Sequence, residues 1–123
     1  MIGYLTLGTN DLALATAFYD ALLPEIGATR FMESDRSVAW SVTPGGSGLS
    51  ICKPFDGKPA TAGNGTMVAL AAGSQSKVDA LYRKALSLGA TDEGAPGLRG
   101  TGGYYGAYFR DLDGNKLCAF HVG

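Results

Sequence analysis

The chain has 123 residues, of which 46% are hydrophobic and 17% charged, so there is apolar surface enough for one packed domain and too much for a disordered chain. Lys and Arg number 10 against 11 Asp and Glu, a formal net charge of −1 with no clustered basic stretch, which leaves no broad electrostatic footprint for nucleic acid or an anionic membrane. The apolar runs are only a few residues long, so neither a spanning helix nor a signal peptide is expected, and the expected location is the cytoplasm, where Cys52 and Cys118 stay as thiols.

Residues 3–8 (GYLTLG) alternate as a strand, and Asn10 is the expected N-cap of a helix over Asp11 to Leu23. Leu14, Phe18 and Leu22 lie on one face of that helix, and Gly27 closes it. Three short stretches follow, Ala28 to Met32, Ser37 to Thr43 and Gly48 to Lys53, separated by polar or Gly/Pro turns, and they read as a three-stranded meander. Residues 54–65 (PFDGKPATAGNG) have no periodicity and form a connector.

After the connector the pattern begins again. Thr66 to Ala71 is strand-like, and Ser74 or Ser76 caps a second helix, the latter with Asp79 in a capping box. Val78, Leu81, Ala85 and Leu88 form its buried stripe, and Gly89 ends it. Gly3-Tyr4-Leu5 falls on Thr66-Met67-Val68, Tyr19 on Tyr82 and Gly27-Ala28-Thr29 on Gly89-Ala90-Thr91, after one deletion. A glycine-rich loop over Gly94 to Gly103 and a hairpin, Tyr104 to Arg110 and Asn115 to Val122 with its turn at Asp113-Gly114, complete the second half. The fold class is α+β: two βαβββ modules, about 1–53 and 66–123, in a single domain, the third strand of the second trio being short or irregular. Half a chain buries too little to be stable alone, so the two sheets should share a core or a cleft.

His121 is the only histidine, which excludes three-histidine, H-E-x-x-H and two-histidine-one-carboxylate centres built from one chain. Asp111-Leu112-Asp113-Gly114 is not a calcium loop, because its glycine comes two positions early and no glutamate closes it. Gly100-Thr101-Gly102-Gly103 leads into a strand and lacks a third spaced glycine, so it is no dinucleotide fingerprint.

Four segments together carry a resemblance: Asp11-Leu12 with residues 18–23 (FYDALL), residues 63–66 (GNGT), residues 96–99 (PGLR), and Tyr104-Tyr105 running into residues 110–116 (RDLDGNK). Over almost its whole length the sequence resembles the vicinal oxygen chelate superfamily, which includes glyoxalase I, extradiol dioxygenases and bleomycin-resistance proteins. The resemblance implies paired βαβββ modules around a partly closed cup, commonly in a homodimer. Metal-dependent members place His, Glu or Gln on the first and last strands of each module; the matching positions here are Tyr4, Ser50, Met67 and Cys118. A phenol, a hydroxyl, a thioether and a thiol are not the ligand set of a hard divalent ion, so no metal or other cofactor is expected.

Strand alternation puts Tyr4, Thr6, Ser50, Cys52, Met67, Ala69, Cys118 and Phe120 on the cup side and Leu5, Ile51, Val68 and Leu117 on the helix side. The alternative roles are bland: Tyr4 a core aromatic, Met67 a gap filler, Cys118 an inert thiol. The resemblance sets Arg99 at the cup mouth, where its fork of donors suits a carboxylate or phosphate. Among the meander aromatics, Trp40 and Tyr105 join the expected ligand-binding set. The expected function is binding of a small, anionic organic molecule without a metal. The competing readings are a metal-dependent lyase, isomerase or dioxygenase of the same superfamily, similar to lactoylglutathione lyase, and a purely structural interaction module.

Overall fold

A computed structural model describes residues 1–123. Strand β1 (Tyr4–Gly8) leads to helix α1 (Leu12–Leu22). Asp11, not Asn10, is the N-cap: its Oδ1 accepts the Leu14 N–H at 3.0 Å. Asn10 ties down the connector instead, accepting the Ala60 N–H at 2.7 Å through Oδ1. A short 3-10 turn, Leu23–Ile26, carries the chain to Gly27, whose φ of 79° ends the helical region. The buried face of α1 is Ala15, Phe18, Tyr19 and Leu22, while Leu14 is exposed. Rows spaced by four residues drift about 40° per step around a helix, so Leu14 rotates out of the stripe that Phe18 and Leu22 define.

Strands β2 (Thr29–Glu33), β3 (Ser37–Ser41) and β4 (Gly48–Cys52) form the expected meander, and β1 closes the sheet parallel to β4, in the order β1-β4-β3-β2. The second module repeats this plan with β5 (Val68–Ala71), α2 (Gln75–Ser87), β6 (Thr91–Arg99), β7 (Tyr104–Arg110) and β8 (Lys116–Val122), in the order β5-β8-β7-β6. Of the two candidate serines, Ser74 caps α2, its Oγ accepting the Lys77 N–H at 3.2 Å. Residues 53–67 contain neither strand nor helix. No helix is long and apolar enough to cross a membrane.

The register fixes the repeat. Leu5 stands opposite Leu49 in the first module and Val68 opposite Leu117 in the second, so Ser50 and Cys118 occupy equivalent places. The segment expected as a glycine-rich loop is largely strand: β6 pairs with β7 from Thr91↔Arg110 to Arg99↔Tyr104, with register shifts around Gly94. Glycine accommodates these irregularities, since Gly94 has a φ of 158° and no side chain to lose from the pleat.

The modules share one core. A cluster of 20 buried residues takes Phe18, Tyr19, Trp40 and Ile51 from the first half and Val78, Leu81, Phe109 and Leu117 from the second. A polar joint accompanies it at the β7–β8 turn. The Asp111 carboxylate accepts the Tyr19 hydroxyl at 2.5 Å, the Asn115 amide side chain at 3.0 Å, and the backbone N–H groups of Asp113 and Asn115 at 2.9 Å each. Asn115 Nδ2 also donates to the Gly8 carbonyl at 3.0 Å, so this turn grips both α1 and β1 of the other module.

Candidate functional site

Each sheet covers a helix with one face and leaves the other open. On the first sheet the helix side holds Leu5, Leu7, Val38, Trp40, Leu49 and Ile51, all packed in or against the core. The open side holds Tyr4, Thr6, Phe31, Ala39, Ser50 and Cys52, which line a cavity of about 300 Å³. A register shift between Arg30 and Met32 puts an extra residue in β2, and Phe31 and Met32 both line this open side. Tyr4 is 70% exposed and Phe31 59%, whereas Ser50 is buried beneath them. No Asp, Glu, Lys or Arg lines this cavity.

The open side of the second sheet is built differently. Gly94 and Gly97 on β6 and Gly106 on β7 present no side chains, and longer neighbours lie across the space they leave. A Cβ on Gly106 would meet Tyr104 Cε1 at 2.7 Å, and one on Gly97 would meet an Arg99 guanidinium nitrogen at 2.9 Å. Tyr104 thus folds back over the sheet, stacks on Phe120 with ring centroids 5.5 Å apart, and brings its hydroxyl 3.1 Å from Cys118 Sγ. Burial, and then sharing of hydrogen bonds with Cys118 and Tyr108, hold the Tyr104 phenol well above its ordinary pKa. Tyr108 has the Arg99 guanidinium 5.5 Å and the Lys116 ammonium 5.6 Å from its ring centre.

Of the expected site residues, Tyr4, Ser50 and Cys52 meet on the first open face. Cys118 and Arg99 lie on the second, and Met67, one residue before β5, lines a separate cavity of about 420 Å³ with Lys116, Arg110 and the Gly63–Thr66 turn. The first of these cavities is lined by residues of the first module alone and the other by connector and second-module residues, so neither joins the two halves of the expected cup. Arg99 is not in a loop; it ends β6, and one of its N–H groups donates to the Ala95 carbonyl at 2.6 Å.

Trp40 and Tyr105 do not belong to the site. Trp40 is 1% exposed on the helix side, its Nε1 donating to Asp20 of α1 at 2.8 Å. Tyr105 also points to the helix side, and its hydroxyl donates to Asp79 of α2 at 2.6 Å. Both aromatics have an apolar body and one polar tip, and a helix carboxylate satisfies that tip in each case. His121 stands opposite Tyr105 in the register and so shares neither face nor reach with Cys118. Of the six meander aromatics, half of which alternation puts on the cup side, Phe31, Tyr104 and Tyr108 are the ones on the open faces, and Lys116 is the residue that sequence reasoning left out. Lys116 precedes Cys118 by two positions, so the parity already used for Cys118 would have placed it.

The donor set does not fit a hard divalent ion. Tyr4, Ser50, Met67 and Cys118 supply no carboxylate or imidazole, Cys118 is fully buried and hydrogen-bonded to a phenol, and no three His, Cys, Asp or Glu side chains gather anywhere in the chain. The burial of Cys118 has a direct chemical consequence. A thiol reagent is expected to modify half-buried Cys52 and to leave Cys118 untouched until unfolding, while Tyr104→Ala should make Cys118 react in the folded protein. Mass spectrometry of the labelled peptides reads both outcomes, and prompt labelling of Cys118 in the unaltered chain would contradict the geometry.

The model of the glyoxalase/bleomycin resistance protein/dioxygenase superfamily matches residues 1–119. No curated protein matches. Among solved structures, a glyoxalase/bleomycin resistance protein from Albidiferax ferrireducens is 36% identical, with all of this chain and 99% of that one covered and a TM-score of 0.91. A glyoxalase/bleomycin resistance protein/dioxygenase family enzyme from Burkholderia phytofirmans is 20% identical, with 98% of each chain covered and a TM-score of 0.78. TioX from a Micromonospora species is 16% identical over 100% of this chain and 99% of that one, at a TM-score of 0.71. The last two likenesses speak for the fold alone.

Proposed function

The chain belongs to the glyoxalase/bleomycin resistance protein/dioxygenase superfamily, and on that premise we propose that it binds a small anionic organic molecule, without a metal, in a cup that two copies of the chain complete. The observation that carries this reading is the donor set at the four positions where metal-dependent relatives hold their ion. Tyr4 and Ser50 offer neutral hydroxyls, Met67 a thioether and Cys118 a thiol capped by Tyr104, so hydrogen bonding and apolar contact replace Lewis-acid chemistry.

The homodimer is part of the proposal. Tyr4 and Phe31 are large aromatic side chains exposed on the first open face, and a second copy would cover them while setting one module against the other across the ligand. The working unit is then a single domain of two modules, 1–53 and 66–123, joined by the 54–65 connector, in the reducing cytoplasm.

Native mass spectrometry of freshly purified protein tests this in one measurement. The expected spectrum contains a species of two chains, free of stoichiometric metal, with or without a small co-purified organic anion. Stoichiometric nickel, zinc, manganese or iron bound through Tyr4, Ser50, Met67 and Cys118 would overturn it, as would chelator-sensitive lactoylglutathione formation from methylglyoxal and glutathione, the outcome a lyase reading requires.

A further inference from the structure

The connector does more than span the two modules: its first half walls a cavity of about 370 Å³ beside the start of α1. Three cations line that cavity, Arg36 from the β2–β3 turn, Lys53 from the end of β4 and Lys58 from the connector itself, together with Thr9 and Asn10. No Asp or Glu lines it. It shares no residue with the cavity on the first open face, so it is a separate place from the proposed cup.

Its walls are fixed. The Lys53 backbone N–H donates to the Arg36 carbonyl at 2.9 Å, and Arg36 Nη2 donates back to the Lys53 and Pro54 carbonyls at 3.0 and 3.3 Å. At the far end of the loop Asn10 holds Ala60 both ways, accepting its N–H at 2.7 Å and donating to its carbonyl at 3.3 Å. Between them Gly57, at a φ of 75°, closes a turn onto the Pro54 carbonyl. Two neighbouring carboxylates are engaged elsewhere: Asp11 accepts the Leu14 N–H at 3.0 Å, and Asp56 accepts the Lys58 backbone N–H at 2.9 Å. None of the three cations is in an ion pair, since those of the chain join Arg30 to Asp20 and Glu33, and Arg110 to Glu93. Arg36 Nε and Nη1 have no protein acceptor.

Like charges gathered at one cavity repel, and the chain supplies no counter-charge among them. The cavity's volume is at the small end of the range of ligand sites, which sets the size of the group that would bring one. A carboxylate brings a single charge on a planar group. A phosphoryl group brings about 1.5–2 negative charges at neutral pH and three acceptor oxygens, one for each cation. Both lysines border the space on flexible stems that let an ammonium swing to an oxygen, while Arg36 offers a guanidinium already held in place. We infer that this cavity binds the phosphoryl group of a small phosphorylated molecule through Arg36, Lys53 and Lys58. The site is independent of the cup and of what the cup binds.

The test is two-dimensional NMR of the backbone amides of the full chain, titrated with inorganic phosphate and, as the singly charged probe, acetate. Phosphate should shift amides among residues 9–12, 36 and 53–58, bind more tightly than acetate, and weaken as salt is raised. Lys53→Met and Lys58→Met, each folded by circular dichroism, should weaken phosphate about fivefold, the effect of losing one solvent-accessible ion pair, whereas Lys77→Met, which removes the same charge from α2, should leave it within about twofold. An equal loss in Lys77→Met, or shifts spread over lysines all round the surface, would reduce the effect to general attraction between charges and overturn the site. Acetate binding as tightly as phosphate, or phosphate shifting none of these amides, would overturn it as well.

Discussion

Asp111→Ala is expected to destabilise the folded chain by about 3–5 kcal/mol and to lower Tm by roughly 10–20 °C. The size follows from what the carboxylate holds. Four donors converge on it at 2.5–3.0 Å, two of them backbone N–H groups of its own turn, one the Asn115 side chain and one the Tyr19 hydroxyl from the other module. Alanine removes every acceptor at once and leaves those donors buried without partners. Because Asn115 also holds the Gly8 carbonyl, loosening the turn weakens the grip on β1 as well. Tyr19→Phe removes one contact and keeps the ring, so about 1–2 kcal/mol is expected. The two changes share a hydrogen bond, and a double-mutant cycle in urea should return a coupling of at least about 0.5 kcal/mol.

The same joint predicts an alkaline signature. Burial first, and then the negative charge of Asp111, raise the Tyr19 phenol well above its usual value. The folded state keeps this proton at a pH where the unfolded chain has lost it. The contribution is therefore complete below about pH 10 and is lost as the pH rises through 10 toward the folded value, at about 1.4 kcal/mol per pH unit for one such group. Tyr19→Phe should flatten that part of the stability curve, measured from denaturant midpoints between pH 9 and 11. An unchanged slope would place the Tyr19 proton elsewhere.

The repeat was legible because each half carries its own punctuation. Gly27 and Gly89 end the helices, and the paired turns fall where short hairpins need them. The faces of β1, β4, β5 and β8 were also legible, since clean alternation of Leu5, Leu49, Val68 and Leu117 with small or polar neighbours sets their phase. The phase of β3 and β7 was not. β7 carries aromatics on both faces, and in β3 Trp40 is the one aromatic among small or apolar residues on either side, so alternation says that half of each strand points inward without saying which half. What decided it was tertiary: Asp20 and Asp79 wait on the helices, so Trp40 and Tyr105 turn toward them, and Tyr104 and Tyr108 are left on the open side. The length of β6, expected as a short or irregular strand, was missed because its glycines read as loop, whereas they are the floor on which Arg99 lies. Closure of the cup was beyond reach, because a single sequence does not give the angle at which two packed modules meet.

Trp40 separates these readings with the second large effect. Trp40→Ala is expected to cost about 3–5 kcal/mol, because a fully buried indole would leave a cavity in the core that both modules share. The indole sits 5.6 Å from the Tyr19 ring centre, so the loss also reaches the polar joint at Asp111. Trp40→Phe keeps most of the buried area and gives up the hydrogen bond to Asp20, a carboxylate that Arg30 still holds at the surface, so about 1–2 kcal/mol is expected. Urea unfolding followed by far-ultraviolet circular dichroism measures both, since Trp40 is the only tryptophan and its fluorescence goes with it. A residue lining the ligand face would behave in the opposite way, with affinity lost and stability kept. Trp40→Phe should therefore leave Cys52 on the open face as reactive toward a thiol reagent as in the unaltered chain while its midpoint falls, and the reverse pattern would return Trp40 to the open face and undo the assignment of sides on β3.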